Sequence, residues 1–212
     1  MIKNLDEIIE NAHQSFEDRT RVRDQALKQA RQLTRHCANA IRAIHRDDSD
    51  LADEHLAAAT ELTLQLNAIA SKYPDIYYAG YTQDALKEYV EAHNTRALIT
   101  NQQIPTPEEL HVEYNTYLKG LAESAGELRR RCLDILRHNR YEEAERLLGH
   151  MDEIYAVLVT IDYPNAVTGG LRRLTDIVRG VTERTRGDLT MSLRQERLEK
   201  QLRALEAQIE KQ

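Results

Sequence analysis

Tryptophan is absent from this chain, phenylalanine occurs once, and its 212 residues include only four prolines and eight glycines. Sandwiches and barrels need many short β-branched and aromatic runs separated by Gly/Pro turns, so the sequence excludes them. The two cysteines, Cys37 and Cys132, lie far apart inside helical patterns and form no Cys-x-x-Cys. That excludes a disulfide framework and a zinc ribbon, and both read as reduced, buried thiols. No apolar run approaches the roughly 18 residues that a membrane-spanning helix requires. The opening MIKNLDEIIENAHQ is too acidic and polar for a signal peptide, which leads to the expectation of a soluble, cytoplasmic protein. Gly169-Gly170 follows no strand and has no Lys-Ser/Thr partner, so no phosphate-binding glycine loop is present. Nothing in the chain supports a Ser-His or Cys-His nucleophile.

What remains is a composition of 41% hydrophobic and 30% charged residues, rich in Ala, Leu, Glu and Arg, the strong helix formers. Apolar residues recurring every three or four positions predict an all-α protein of seven helical segments in one domain over 1–212. The first runs from about Leu5 to Arg46 with a seam of Leu27, Ala30, Thr34, Cys37, Ile41 and Ile44, and the second from about Ser49 to Tyr73. A third covers about Gln83 to Thr100. The fourth is expected from the capping signal Thr106-Pro107-Glu108-Glu109 to about His138. A fifth spans Tyr141 to Tyr163, a sixth begins near Leu171, and a seventh occupies Met191 to Gln212. That last segment spaces Leu198, Leu202, Leu205 and Ile209 by four, three and four, which suits either a coiled-coil or partner-binding helix or a solvated, fraying end.

The net charge of −6 hides a segregated distribution. Between Arg19 and Arg46 stand eight Arg/Lys and one acid, Asp24. Arg21, Lys28, Arg35 and Arg42 recur every seven residues and form one row, flanked by Arg31 and Arg46. At ~1.5 Å per residue the row is roughly 30 Å long, enough to follow several phosphates, although a wet helix face reads the same way. No aromatic residues interleave with it, so base stacking is not expected there.

Two acidic pairs stand out. Glu88 and Glu91 are three apart in the third segment, and Glu123 and Glu127 are four apart in the fourth, so each pair projects from one side of its helix. Facing helices would converge four carboxylates, which repel unless a cation binds, and all-oxygen ligation suits Mg²⁺ or Mn²⁺. Against this, all four lie opposite their own helices' apolar seams, so in a lone protomer that face should meet water, and Arg131 follows Glu127 at the spacing of an ordinary surface pair. Glu10/His13 and Glu108/His111 have the Glu-x-x-His spacing of di-iron bundles, but both sit near helix beginnings. A carboxylate metal-binding bundle is therefore one further reading.

The segments Lys87-Glu88-Tyr89-Val90-Glu91-Ala92, Tyr117-Leu118-Lys119-Gly120-Leu121-Ala122-Glu123 and Gly126-Glu127-Leu128-Arg129 resemble the translin and translin-associated factor X family. So do the basic helix ending Ile44-His45-Arg46 and the late run Glu183-Arg184-Thr185-Arg186-Gly187-Asp188-Leu189. The resemblance covers about residues 20 to 190 and does not extend past Leu189. It implies a seven-helix antiparallel bundle assembling into a hollow, octamer-like homo-oligomeric shell. It also implies an endoribonuclease that binds RNA, single-stranded or duplex, with single-stranded DNA as a further partner, and cuts single-stranded or mismatched RNA with a divalent metal. The family divides into a catalytic type and a type that only binds nucleic acid, and this sequence resembles the first. Carried over by the resemblance, Glu88, Glu91 and Glu127 match metal-binding glutamates. Glu123 matches a position that is aspartate in eukaryotic catalytic members and is one methylene longer.

Overall fold

A computed structural model of the chain describes residues 4–209. Among these residues there are eight helices and no strand: α1 (Leu5–His45), α2 (Ser49–Asn67), α3 (Pro74–Tyr77), α4 (Gly80–Ile99), α5 (Tyr114–Leu136), α6 (Tyr141–Leu158), α7 (Asn165–Thr168) and α8 (Leu171–Ile209). The all-α expectation holds, with three changes of boundary besides the fifth segment's end at Leu158 instead of Tyr163. The sixth and seventh predicted segments are one helix, because nothing between Leu189 and Met191 breaks the i→i−4 ladder and Gly187 passes within it. The second segment stops at Asn67, and a turn leads to the short α3 at Pro74.

The third change concerns the fourth segment. The capping box at Thr106 forms as expected, with Thr106 N–H donating to Glu109 at 2.7 Å and Glu109 N–H donating to Thr106 Oγ1 at 3.2 Å. It caps only one turn. His111 takes φ 54°, and Val112 N–H closes back onto Pro107 O at 3.0 Å, so α5 starts anew at Tyr114. Asp47, Asn101 and Asn139 end helical runs in the same way, each with positive φ and a following N–H bonded five residues back. Short polar side chains tolerate the left-handed region by bonding locally, which lets a glycine-poor chain turn sharply.

The chain divides into two compact units, one formed by the chain up to His93 with Pro105–Gly120, the other by Asn94–Ile104 with the chain from Leu121 onward. In the first, α1 and α2 form a hairpin. Asp48 caps α2 by accepting from Leu51 N–H at 3.2 Å. The α1 seam is Ala26, Ala30, Leu33, Cys37, Ala40 and Ile44, spaced four and three in turn, while the expected Leu27 and Thr34 sit at its edge and outside it. It meets Ala52, Leu56, Ala59, Thr63 and Leu66 of α2. Gln29 donates to Gln65 at 2.7 Å across this core, and Tyr89 of α4 meets Thr60 at 3.0 Å.

In the second unit α6 packs Leu147, Met151, Ile154 and Leu158 against Leu171, Val178 and Leu189 of α8. Each such side chain contributes about 1.5–3 kcal/mol by burial. Arg146 donates to Leu98 O at 2.8 Å and Ile99 O at 3.0 Å, satisfying the open carbonyls at the end of α4. Beyond Leu189, α8 carries Met191, Leu198, Leu202, Leu205 and Ile209 exposed; the predicted segment's last three residues lie outside the described ones. Cys37 and Cys132 are fully buried free thiols. Burial pushes the Cys132 thiol up to about 12 and raises Cys37 as well, the latter with a further push from the charges of Glu88 and Glu91.

Candidate functional site

α4 buries Ala85, Leu86, Tyr89, Val90, Ala92, Asn94 and Thr95, almost the whole girth of a helix. A helix buried all round has no wet face on which to place a charge. Glu88 and Glu91 nevertheless lie on it, both half-buried. Behind them Tyr89 stacks edge-on against His93 at 4.6 Å between ring centroids, and burial lowers the His93 pKa to about 4, which keeps that imidazole neutral.

Gly120 decides what these carboxylates meet. A Cβ added there would stand 2.6 Å from Val90 Cβ and 2.7 Å from Lys87 O, so the backbone of α5 rests directly on α4 at this point. Only glycine permits that approach. Glu123 is three residues on, on the same side of α5. Carboxylate oxygens of Glu88, Glu91 and Glu123 all lie within 4.8 Å of one another. The oxygens around one Mg²⁺ are about 3 Å apart when adjacent and about 4 Å apart when opposite, so small side-chain rotations would close this group onto an ion. An all-carboxylate donor set of half-buried groups fits Mg²⁺ or Mn²⁺.

These three glutamates are half-buried, not fully exposed as the helical wheels alone implied. A wheel places each residue relative to its own helix and carries no information on where a second helix crosses. Glu127 lies outside the group of three and meets Arg130 at 3.5 Å. Arg131 is buried and pairs with Glu143 at 3.5 Å. Of the Glu-x-x-His pairs, Glu10 and His13 are exposed and Glu108 accepts from Tyr114, and among the described residues neither pair belongs to a group of three or more possible metal ligands. Gly120 escaped the sequence reading; its one signal was a glycine inside an otherwise unbroken helical pattern.

The late run Glu183–Leu189 has a structural role within the second unit. Arg129 of α5 donates to Thr185 Oγ1 at 3.1 Å and pairs with Asp188 at 2.8 Å, while Arg186 pairs with Asp152 of α6. α8 thereby holds the helix that presents Glu123 and Glu127.

The basic row behaves as the heptad spacing required. Arg21, Lys28, Arg31, Arg35 and Arg42 on α1 and Arg46 at its C-cap are all exposed. Arg21 pairs with Asp18 at 2.7 Å and Arg42 donates to Ala38 O at 3.0 Å. Among the described residues, Lys28, Arg31, Arg35 and Arg46 have no acidic partner. Four uncompensated cations on one helix form a surface that attracts polyanions.

Fold and site together define a class of protein, an all-helical chain that gathers carboxylates at a helix crossing and carries a separate, unneutralised basic face. No family model matches the chain. It is 34% identical over 187 residues to the uncharacterized protein MJ0175 of Methanocaldococcus jannaschii, covering 87% of this chain and 82% of that relative. It is similar to AfC3PO in complex with duplex RNA, at 31% identity and a TM-score of 0.81 over 87% of this chain and 95% of that one. It is also similar to apo-NeC3PO, at 26% identity and a TM-score of 0.78 over 91% of this chain and 98% of that one. The chain belongs to the translin family, whose C3PO-type members these structures represent. None of its helices is long and apolar enough to cross a membrane among the described residues.

Proposed function

We propose that this protein is a divalent-metal-dependent endoribonuclease that cuts single-stranded RNA within a homo-oligomeric, octamer-like shell in the cytoplasm. The convergence of Glu88, Glu91 and Glu123 carries this reading, because three carboxylates with oxygens within 4.8 Å of one another are the all-oxygen donor set that a hard divalent cation takes; Lys87 also pairs with Glu88 at 3.9 Å. Those three would hold Mg²⁺ or Mn²⁺, while Glu127, the fourth glutamate that the resemblance pointed to, lies outside the group and would act only from beside it. When bound, the cation supplies Lewis acidity toward the scissile phosphate and acidifies water at neutral pH. A glutamate of the cluster accepts the proton of the attacking water as its oxygen bonds to phosphorus; one phosphorus–oxygen ester bond breaks, and the leaving oxygen takes up a proton. The exposed row on α1 would bind phosphates without reading bases. The complex of the similar AfC3PO with duplex RNA supports an RNA ligand.

Labelled single-stranded RNA incubated with the protein should yield shorter products with Mg²⁺ and none with EDTA, while a gel shift persists in both. A shift without products in either condition would leave only a nucleic-acid-binding shell; iron uptake with no shift would indicate a metal-binding bundle. Reversing two charges of the row, Arg31→Glu with Arg35→Glu, should weaken RNA binding at least about tenfold and lower the salt slope by roughly two. Affinity measured from low to high salt checks this, and an unchanged slope would remove α1 from the RNA path.

A further inference from the structure

The α1–α2 hairpin brings together two histidines that the acidic site does not use. Their Nδ1 atoms stand 3.2 Å apart, with ring centroids 5.3 Å apart and planes inclined at 64°. Both rings are half-buried. Two imidazole nitrogens at about 2.0–2.1 Å from a tetrahedral Zn²⁺ lie roughly 3.3 Å apart. The observed separation therefore fits either a neutral hydrogen-bonded pair or the bite of a metal chelate.

We propose that His36 and His55 form a second metal site, a bis-imidazole clamp for a late first-row divalent cation such as Zn²⁺. It would tie α1 to α2, with water filling the other coordination positions. Imidazole donors prefer zinc, nickel and copper over magnesium, so this site and the carboxylate group would select different ions. Both Nδ1 lone pairs are available when each ring carries its proton on Nε2, so neutral rings bind without losing a proton. The local charge is balanced, with Arg35 next to His36 on α1 and Asp53 and Glu54 just before His55 on α2, all exposed. Two protein ligands predict micromolar rather than structural-zinc affinity. The proposal does not depend on the endonuclease reading.

Thermal unfolding of the full chain, titrated with ZnCl₂ or MgCl₂ after EDTA treatment and dialysis, tests it. Carrying Glu123→Gln in a parallel series weakens the carboxylate group. In both series Tm should rise steadily with Zn²⁺, and in the Glu123→Gln series it should ignore Mg²⁺. His36→Asn and His55→Gln keep an amide at each position, and each should weaken Zn²⁺ binding at least about tenfold. Each variant's zinc response is read against its own metal-free Tm, so a purely structural loss cannot imitate the result. A zinc response that survives both substitutions, or no response up to millimolar Zn²⁺ in the unsubstituted chain, overturns the proposal.

Discussion

Glu123→Gln should reduce Mg²⁺-dependent cleavage of single-stranded RNA by about 10²–10³-fold or more, the range seen when one charge-stabilising group is removed from a preorganised site. Glutamine preserves the length of the side chain and one oxygen donor, but not the charge that balances a dication. The variant should fold normally, since glutamine keeps the volume and polarity of the half-buried side chain. RNA affinity should be unchanged, because the basic row lies on α1 and Glu123 on α5. Glu88→Gln and Glu91→Gln should behave alike. Glu127→Gln should cost less, as Glu127 stands outside the three and is engaged by Arg130. Single-turnover cleavage assays at saturating protein measure all four, and undiminished cleavage by Glu123→Gln would refute the site.

Gly120→Ala should destabilise the protein by about 1–2 kcal/mol, although the same change usually strengthens a helix by about 1 kcal/mol. The new methyl group would meet Val90 Cβ and a main-chain carbonyl, neither of which can swing aside. Overpacking of this kind costs about 1–3 kcal/mol and is relieved by moving α5 off α4. Gly126 supplies the control on the same helix, because a Cβ there meets nothing within 4 Å. Gly126→Ala should be neutral or stabilising by up to about 1 kcal/mol. Chemical denaturation midpoints for the two variants give opposite signs if Gly120 marks the helix crossing, and equal signs if it does not.

The contrast between these glycines shows where reading the sequence stops. Both interrupt the same helical pattern, and no local property separates them. Likewise His36 and His55, nineteen residues apart, meet only because Asp47 and Asp48 reverse the chain between them. The early stop at His111 was hidden for a related reason. Its capping box is a valid start signal, and the left-handed residue that ends the turn is a histidine rather than the expected glycine or asparagine.

The sequence by itself determined the helices, the continuous basic row of α1 and the pairing of glutamates along α4 and α5, because all three follow from the 3.6-residue period of one chain segment. Its short motifs were enough to point to the translin family. Only the tertiary structure decided that Glu88, Glu91 and Glu123 come together while Glu127 stands aside, and that two histidines face each other across a hairpin. Those outcomes depend on where one helix crosses another. That position is set by non-local contacts, such as the missing Cβ of Gly120 against Val90, which no periodicity within a single helix can encode.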